Sequence, residues 1–237
     1  MIALRHVSKT FDGRRALDDV SLTVPSGATH VLLGSTGSGK STILKIILGL
    51  VRPDAGEVSV EPASRIGYVV QDGALYPHLT AGRNATLPAR AARWTEAEQT
   101  SRLGALAQLV GLDTPLLDLY PHQLSSGQRQ RTGLLRALML DPPMLLLDEP
   151  LGSLDPIARA ELQSHLVGII ADLRKTVIVV THDVREAFVF GATITLLSAG
   201  RIVQQGTFAD LARRPAEPFV ADFLRAQAPP PAMTQFL

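Results

Sequence analysis

Eight consecutive residues, Gly34 to Ser41, follow the pattern G-x-x-x-x-G-K-[ST], which sets two glycines, a lysine and a hydroxyl at fixed spacing. The glycines let successive backbone N–H groups turn inward and approach phosphate oxygens. Lys40 would bring a mobile positive charge to the β- and γ-phosphates, and the hydroxyl of Ser41 would be a ligand of Mg²⁺. The pattern predicts a site for ATP and Mg²⁺ that comprises Gly34, Ser35, Thr36, Gly37, Ser38, Gly39, Lys40, Ser41 and Thr42.

Two other interpretations of this loop are a plain glycine-rich turn beside a surface lysine and a dinucleotide-binding loop. The dinucleotide pattern G-x-G-x-x-G fails because Thr42 stands where its third glycine is needed. The flanking sequence favours the phosphate loop, since the apolar run from Thr29 to Leu33 predicts a strand that enters it. Residues 40–50 then predict a helix with one buried face. The apolar residues of that face are Ile43, Ile46, Ile47 and Leu50.

An acidic pair, Asp148 and Glu149, directly follows the apolar run from Met144 to Leu147, which predicts a buried strand. Ligands of open α/β sheets bind at the carboxyl ends of the strands. A carboxylate at Asp148 can hold Mg²⁺ through its water shell, and Glu149 can act as the general base for a water attacking the γ-phosphate. The alternative is a pair that caps a helix, because Pro150 follows.

A histidine, His182, stands just beyond a second buried strand, predicted by the β-branched run from Thr176 to Val180. A lone histidine is more often structural than functional, but a strand end places it at the same ligand crevice. We expect His182 to hydrogen-bond the γ-phosphate and the attacking water, and so to be catalytic together with Glu149.

A second candidate anion site precedes the helix predicted for residues 129–140. Ser125 and Gln128 have the S-x-x-Q spacing of a capping box, which by itself indicates only that a helix begins there. A helix N-terminus that contains a glycine, here Gly127, can also bind an anion. One ATP does not need two such sites from one chain.

The composition is that of an ordinary globular protein: 237 residues, 46% of them apolar, a net charge of +1 and no cysteine. The charge gives no support to nucleic-acid binding, and the missing cysteines exclude disulfides and thiolate metal sites. The N-terminus lacks the pattern of a secretory signal, and no apolar run reaches about 18 residues, so we expect neither a leader nor a membrane-spanning helix. A cytosolic protein that reaches a membrane by binding a partner fits these features.

Strands that alternate with helices predict an α/β fold with a mostly parallel sheet flanked by helices on both faces. Residues 2–24 predict short strands broken at Asp12-Gly13, and residues 57–70 contain two further strand-like runs. Further elements are a helix over residues 157–173 and a strand over 193–197. We expect one domain over residues 1–227, with a core of 1–71 and 141–227, a helical insert of about 72–140, and a loose tail of 228–237 that contains three consecutive prolines.

The ordered set of motifs resembles the nucleotide-binding subunit of ABC transporters, over about residues 2–224. The matching elements are Phe11, the phosphate loop, Gln71, the signature Leu124 to Gln128, the run Leu145 to Glu149, Ser153-Leu154-Asp155 and His182. The resemblance implies a P-loop NTPase fold of the ABC type, with an antiparallel N-terminal β part. It also implies a head-to-tail dimer, with a second copy or a paralogous ATPase, in which each signature completes the partner's ATP site.

The resemblance assigns further roles. The signature residues facing the partner's ATP are Ser125, Ser126, Gly127 and Gln128. Phe11 stacks on adenine, although an apolar aromatic is on physical grounds as easily a core residue. Gln71 senses Mg²⁺ in the catalytic site and couples it to the membrane subunits, and Asp155 communicates across the dimer. Ser126 stands where the family usually has glycine. The side chain of Ser126 costs little free energy if the φ of this residue is negative and about 1–2 kcal/mol if it is positive.

Within the family, the chain is similar to the ATPases of quaternary-amine osmoprotectant importers, for glycine betaine, choline or carnitine. The matching stretches are residues 75–80, 120–125 and 219–223. This likeness implies transmembrane permease subunits as direct partners, a solute-binding protein as an indirect one, and a peripheral location on the cytoplasmic face of the cell membrane. The alternatives are the ATPase of an ABC transporter for another solute, a low-turnover ATP-gated dimerisation switch, and an ABC-type ATPase acting on ribosomes or DNA.

Overall fold

The computed structural model describes residues 1–61, 65–152, 154–191 and 193–228, and only the backbone of Gln71, Asp72 and Leu173. The strands are β1 (Ile2–Phe11), β2 (Arg14–Val24), β3 (Thr29–Gly34), β4 (Ala55–Val60), β5 (Ile66–Val69), β6 (Met144–Asp148), β7 (Thr176–Thr181), β8 (Thr193–Ser198) and β9 (Arg201–Gly206). The α-helices are α1 (Lys40–Ile47), α2 (Ala81–Ala91), α3 (Glu96–Val110), α4 (Ser126–Leu138), α5 (Pro156–Leu173), α6 (Val184–Phe190), α7 (Phe208–Arg213) and α8 (Pro218–Ala226).

The strands form two sheets, and the larger one positions the motifs. Its order is β5-β6-β7-β3-β8-β9, with every neighbouring pair parallel except β8 and β9. The smaller sheet is antiparallel, in the order β2-β1-β4. The predicted mostly parallel core sheet and the antiparallel N-terminal part are therefore confirmed.

Alternate residues of the central strands enter two separate hydrophobic clusters, one on each face of the larger sheet. In β6, Leu145 and Leu147 join the cluster that includes helices α2 to α5, whereas Met144 and Leu146 join the cluster that includes α1 and the antiparallel sheet. Strands β3 and β7 divide their side chains in the same way. Burial on both faces explains why these strands are continuous apolar runs.

Two expectations about local structure were wrong. Residues 2–24 form two long strands of 10 and 11 residues rather than short ones, because register shifts between β1 and β2 let them bend without ending. Leu50 is not on the buried face of α1 but is 69% exposed, since the helix ends at Ile47 and the chain turns away before completing another turn.

Helices α2, α3 and α4 pack together in the region predicted as a helical insert, and α4 also lies against β5 and the short 3-10 turn of residues 71–74. The division into core and insert remains a prediction. Of the predicted tail, only Ala228 lies within the described residues. In the part of the chain that the structure describes, no helix combines the length and the apolar character needed to cross a bilayer.

Candidate active site

The motifs meet at the carboxyl ends of three adjacent strands, in the order β6-β7-β3. The phosphate loop leaves β3 and enters α1, Asp148 is the last residue of β6, and His182 follows the last residue of β7. More than a hundred residues separate the phosphate loop from Asp148 and His182 along the chain, and the parallel pairing brings all three to one edge of the sheet.

Close packing explains the glycines of the loop. A Cβ on Gly39 would lie 2.7 Å from the Leu17 side chain and 2.8 Å from the carbonyl oxygen of Ala16, and Gly39 has a φ of 107°. A Cβ on Gly34 would lie 2.4 Å from the carbonyl oxygen of Leu197. Neither position accepts a side chain, because the backbones of β2 and β8 lie directly against the loop.

Lys40 is buried, with 4% exposure, and its ammonium group lies inside the loop. It donates hydrogen bonds to the carbonyl oxygens of Gly34 at 2.7 Å and Ser35 at 2.8 Å. Burial lowers the pKa of Lys40, and the nearby carboxylates of Glu149 and Asp148 act in the opposite direction. The lysine is therefore a desolvated cation, which attracts an anionic ligand more strongly than an exposed ammonium would, while the two carboxylates oppose that attraction.

Asp148 is 8% exposed and is held from two sides. The Ser41 hydroxyl donates to its Oδ1 at 3.2 Å, and the Tyr68 hydroxyl donates to its Oδ2 at 3.2 Å. Burial raises the pKa of Asp148, while these two hydrogen bonds oppose the shift. Burial also raises the pKa of Tyr68 to about 12, which keeps its hydroxyl protonated as a donor.

A hydroxyl oxygen and a carboxylate oxygen in contact are ligands that suit Mg²⁺, so Ser41 and Asp148 fit the predicted metal role. Tyr68 was missed in the sequence. It lies on β5 and carries no motif, and only the pairing of β5 with β6 brings it to Asp148.

Glu149 and His182 face each other, with Nδ1 of the imidazole 3.4 Å from Oε1 of the carboxylate. Glu149 has a φ of 47°, and its N–H donates to the carbonyl oxygen of Val180 at 3.0 Å, which ties the residue to β7. A left-handed conformation at a non-glycine residue costs about 1–3 kcal/mol, so the surrounding structure must hold Glu149 in it. The interpretation of Asp148 and Glu149 as a helix-capping pair is wrong, since Asp155 caps the next helix, α5.

A cavity of about 530 Å³ opens over the loop, lined among others by Thr36, Lys40, Ser41 and Glu149. Its wall also includes Arg14 and Arg15, which the sequence analysis did not single out. Two adjacent basic residues after the Asp12-Gly13 turn were the only sign in the sequence of an anion-binding role. That sign was not enough, because nothing in the local sequence shows that the start of β2 lies beside the phosphate loop.

Phe11 lies at the end of β1 and is 42% exposed, with the ammonium group of Lys9 5.3 Å from the ring centre. The interpretation of Phe11 as a core residue is therefore wrong. Its predicted stacking on adenine stays a prediction.

The capping box at the signature is present. Ser125 Oγ accepts from the Gln128 N–H at 3.2 Å, and Gln128 Oε1 accepts from the Ser125 N–H at 2.8 Å. Ser126 is the first residue of α4, so its backbone is helical and its side chain costs little. A Cβ on Gly127 would make only ordinary contacts, at 3.8 Å or more, with the described residues Leu154 and Ala158.

Two other predicted residues lie at the starts of helical segments. Asp155 is the N-cap of α5 and accepts from the N–H groups of Ile157 and Ala158 at 3.0 Å. Gln71 begins the 3-10 turn after β5, but its side chain lies outside the described residues. Ser153 also lies outside them.

Comparison with known proteins agrees with this geometry. Residues 17–152 match the family model described as ABC transporter. The chain is 40% identical to the choline transport ATP-binding protein OpuBA of Bacillus subtilis, covering 94% of this chain and 62% of that protein. It is 40% identical to the glycine betaine uptake system ATP-binding protein YehX of Escherichia coli, covering 94% and 76%. It is 42% identical to the sulfate/thiosulfate import ATP-binding protein CysA of Nocardia farcinica, covering 94% and 70%.

Among solved structures, the chain resembles the bacterial ABC transporter cassette MJ0796 in its dimeric form, with a TM-score of 0.80 and 33% identity over 87% of this chain and 98% of that one. A second dimeric structure of MJ0796, in a post-hydrolysis state with ADP and Pi, matches equally well at 32% identity. The family model covers more than half of the sequence, and the YehX and CysA matches span more than two thirds of those relatives. The chain therefore belongs to the ABC transporter family, as an ATP-binding cassette.

Proposed function

We propose that this chain is the ATP-binding and ATP-hydrolysing subunit that powers an ABC importer for quaternary-amine osmoprotectants such as glycine betaine, choline or carnitine. The observation that carries the ATPase function is the meeting of Lys40, the Ser41–Asp148 pair and the Glu149–His182 pair at one sheet edge.

In this mechanism the phosphate loop binds ATP. The backbone N–H groups of the loop and the start of α1 face the phosphates, and Lys40 exchanges its two carbonyl partners for β- and γ-phosphate oxygens. The exchange is favourable because a buried ammonium interacts more strongly with a charged oxygen than with a neutral carbonyl.

Ser41 and Asp148 would hold Mg²⁺, with Gln71 as a further candidate ligand. When bound, the ion supplies positive charge to the phosphate oxygens. Tyr68 contributes by holding the second oxygen of Asp148, so that the carboxylate keeps one orientation.

Glu149 would accept a proton from the water that attacks the γ-phosphate. His182 would donate a hydrogen bond to the γ-phosphate and contact the same water. The 3.4 Å separation lets both side chains reach one small region beside the loop.

A dimer would complete the site. The signature residues Ser125–Gln128 lie at the N-terminus of α4, where a partner's phosphate would meet unpaired N–H groups. Phe11 would stack on adenine, and Asp155 would communicate across the interface. The dimeric structures of the related MJ0796 support this arrangement.

The remaining parts of the proposal concern the membrane. Residues 72–140 would act as the helical insert that carries the closing motion to permease subunits, which place the chain on the cytoplasmic face. The choline transport function of OpuBA and the glycine betaine uptake function of YehX support a quaternary-amine solute. The chain is also 42% identical to CysA, whose function is sulfate/thiosulfate import. Judged by sequence identity alone, CysA supports the alternative of another solute as strongly as OpuBA and YehX support a quaternary amine.

Phosphate release from the purified chain with MgATP tests the enzymatic part. The Glu149→Gln variant should keep ATP binding and lose steady-state hydrolysis, because the amide cannot accept the proton. Glu161→Gln, an exposed glutamate on α5, is the matched control and should behave like the parent. Parental turnover by Glu149→Gln would show that Glu149 is not the base, and binding without turnover by the parent would favour the ATP-gated switch.

The solute is tested in a complex reconstituted with the permease and solute-binding subunits. Glycine betaine, choline and carnitine should stimulate ATP hydrolysis, whereas sulfate should not. Stimulation by sulfate alone would replace the osmoprotectant proposal with the other-solute alternative.

A further inference from the structure

Glu186 is a buried carboxylate that the mechanism above does not use. It lies on α6, four residues after His182, and is 5% exposed. Its Oε2 accepts a hydrogen bond of 2.6 Å from the hydroxyl of Thr181, the last residue of β7. Burial raises the pKa of Glu186, with the Thr181 hydrogen bond opposing the shift, so its charged form is costly in the fold.

The same threonine hydroxyl holds the turn that follows β7. Thr181 Oγ1 accepts from the N–H of Asp183 at 3.0 Å, while its own proton goes to Glu186. Asp183 in turn caps α6, accepting from the N–H of Arg185 at 2.8 Å. Thr181 and Asp183 flank His182, so one hydroxyl, oriented by Glu186, fixes the backbone on both sides of the histidine.

The histidine depends on that backbone because its side chain is 54% exposed. Its one ionic contact among the described residues is with Glu149, at 3.4 Å. A change in the turn would therefore move the imidazole away from Glu149, and small displacements of a catalytic group are costly to rate.

We propose that Glu186 is a positioning residue, which holds the Thr181–Asp183 turn so that the imidazole of His182 faces Glu149 and the γ-phosphate. The role rests on the proposed ATPase function and adds to it a residue that contacts no nucleotide. Glu186 acts through a hydrogen bond, and any acceptor of the same shape at this position can replace it.

Steady-state ATP hydrolysis by the full chain tests the role. Glu186→Ala should lower kcat by about tenfold or more and leave KM for ATP within about twofold, since the phosphate loop is untouched. Glu186→Gln should keep kcat within about threefold of the parent, because its amide oxygen still accepts from Thr181. Glu161→Ala, an exposed helical glutamate, is the control for loss of a carboxylate and should not change either constant.

A double-mutant cycle separates positioning from a general structural effect. If Glu186 acts through His182, Glu186→Ala should cause no further loss of kcat in a His182→Ala background. Losses that multiply would overturn the role of Glu186 while leaving the ATPase function in place. A parent chain that binds ATP without turning it over would refute the proposed function, and this role with it.

Thr181 provides a second test if Glu186→Ala does not fold. Thr181→Ser keeps the hydroxyl and should retain parental kcat, whereas Thr181→Val fills the same volume without a donor and should lose kcat as Glu186→Ala does. Thermal unfolding checks that both variants are folded. Parental kcat in folded Thr181→Val would overturn the proposal.

Discussion

Replacing Tyr68 with phenylalanine removes one hydroxyl and leaves the ring, so the change isolates the hydrogen bond to Asp148. That bond has an O–O distance of 3.2 Å, and its acceptor is a buried carboxylate. A hydrogen bond to a charged group contributes about 1.5–3 kcal/mol. Because this one is longer than the usual limit of about 3.0 Å, we take the lower end, which corresponds to about a tenfold change in an equilibrium constant.

The effect should fall on Mg²⁺ rather than on ATP. Without Tyr68, one oxygen of Asp148 loses its donor, the carboxylate becomes freer to rotate, and its affinity for the ion drops. We expect the Mg²⁺ concentration that gives half-maximal ATP hydrolysis to rise by about five- to tenfold, with kcat at saturating Mg²⁺ within about twofold of the parent.

The assay is a Mg²⁺ titration of phosphate release at fixed ATP, on the Tyr68→Phe variant and the parent. Tyr76→Phe is the matched control, since the Tyr76 side chain is exposed and the hydroxyl groups that contact Asp148 are those of Ser41 and Tyr68. An unchanged Mg²⁺ dependence in Tyr68→Phe would refute the inference that Tyr68 orients the metal-binding carboxylate.

Three further outcomes are expected. Gly39→Ala should destabilise the fold by about 2 kcal/mol or more in a denaturant titration, because the new Cβ would lie 2.7 Å from the Leu17 side chain. Gly104→Ala in α3 is the control. A Cβ there meets nothing within 4 Å, so this change should stabilise the fold by about 1 kcal/mol. Asp155→Ala should lower the free energy of unfolding by about 1 kcal/mol because it removes the N-cap of α5, whereas Asp155→Asn should keep both the cap and the stability. An ATPase defect in the asparagine variant would indicate a role beyond capping. Asp148→Asn should raise Tm more at pH 8 than at pH 4. Burial raises the folded-state pKa of Asp148 above its ordinary value of 3.8. The stability contributed by the protonated acid is therefore fully present below pH 3.8 and is lost as pH rises through the folded-state pKa, whereas the neutral asparagine loses nothing. Equal Tm gains at both pH values would contradict that direction.

The sequence predicted what depends on neighbours along the chain. The phosphate loop lies within nine consecutive residues, and the Ser125–Gln128 capping box lies within four, so their residue types and spacing were sufficient. Apolar runs that are buried on both faces indicated β3, β6 and β7, and the residue after each run marked a strand end. Exposure was less predictable. Leu50 was expected to be buried, and a core position was the alternative for Phe11, but the end of helix α1 and the end of strand β1 leave both side chains exposed.

Strand order was decided only by the tertiary structure. The sequence by itself determined that the phosphate loop, the Asp148–Glu149 pair and His182 each follow a predicted strand, because periodicity and motif spacing are local. It did not determine which strands are neighbours, since the sheet order β5-β6-β7-β3-β8-β9 does not follow the chain. That order alone sets Tyr68 against Asp148 and His182 against Glu149, because parallel pairing aligns strand ends that are distant in sequence.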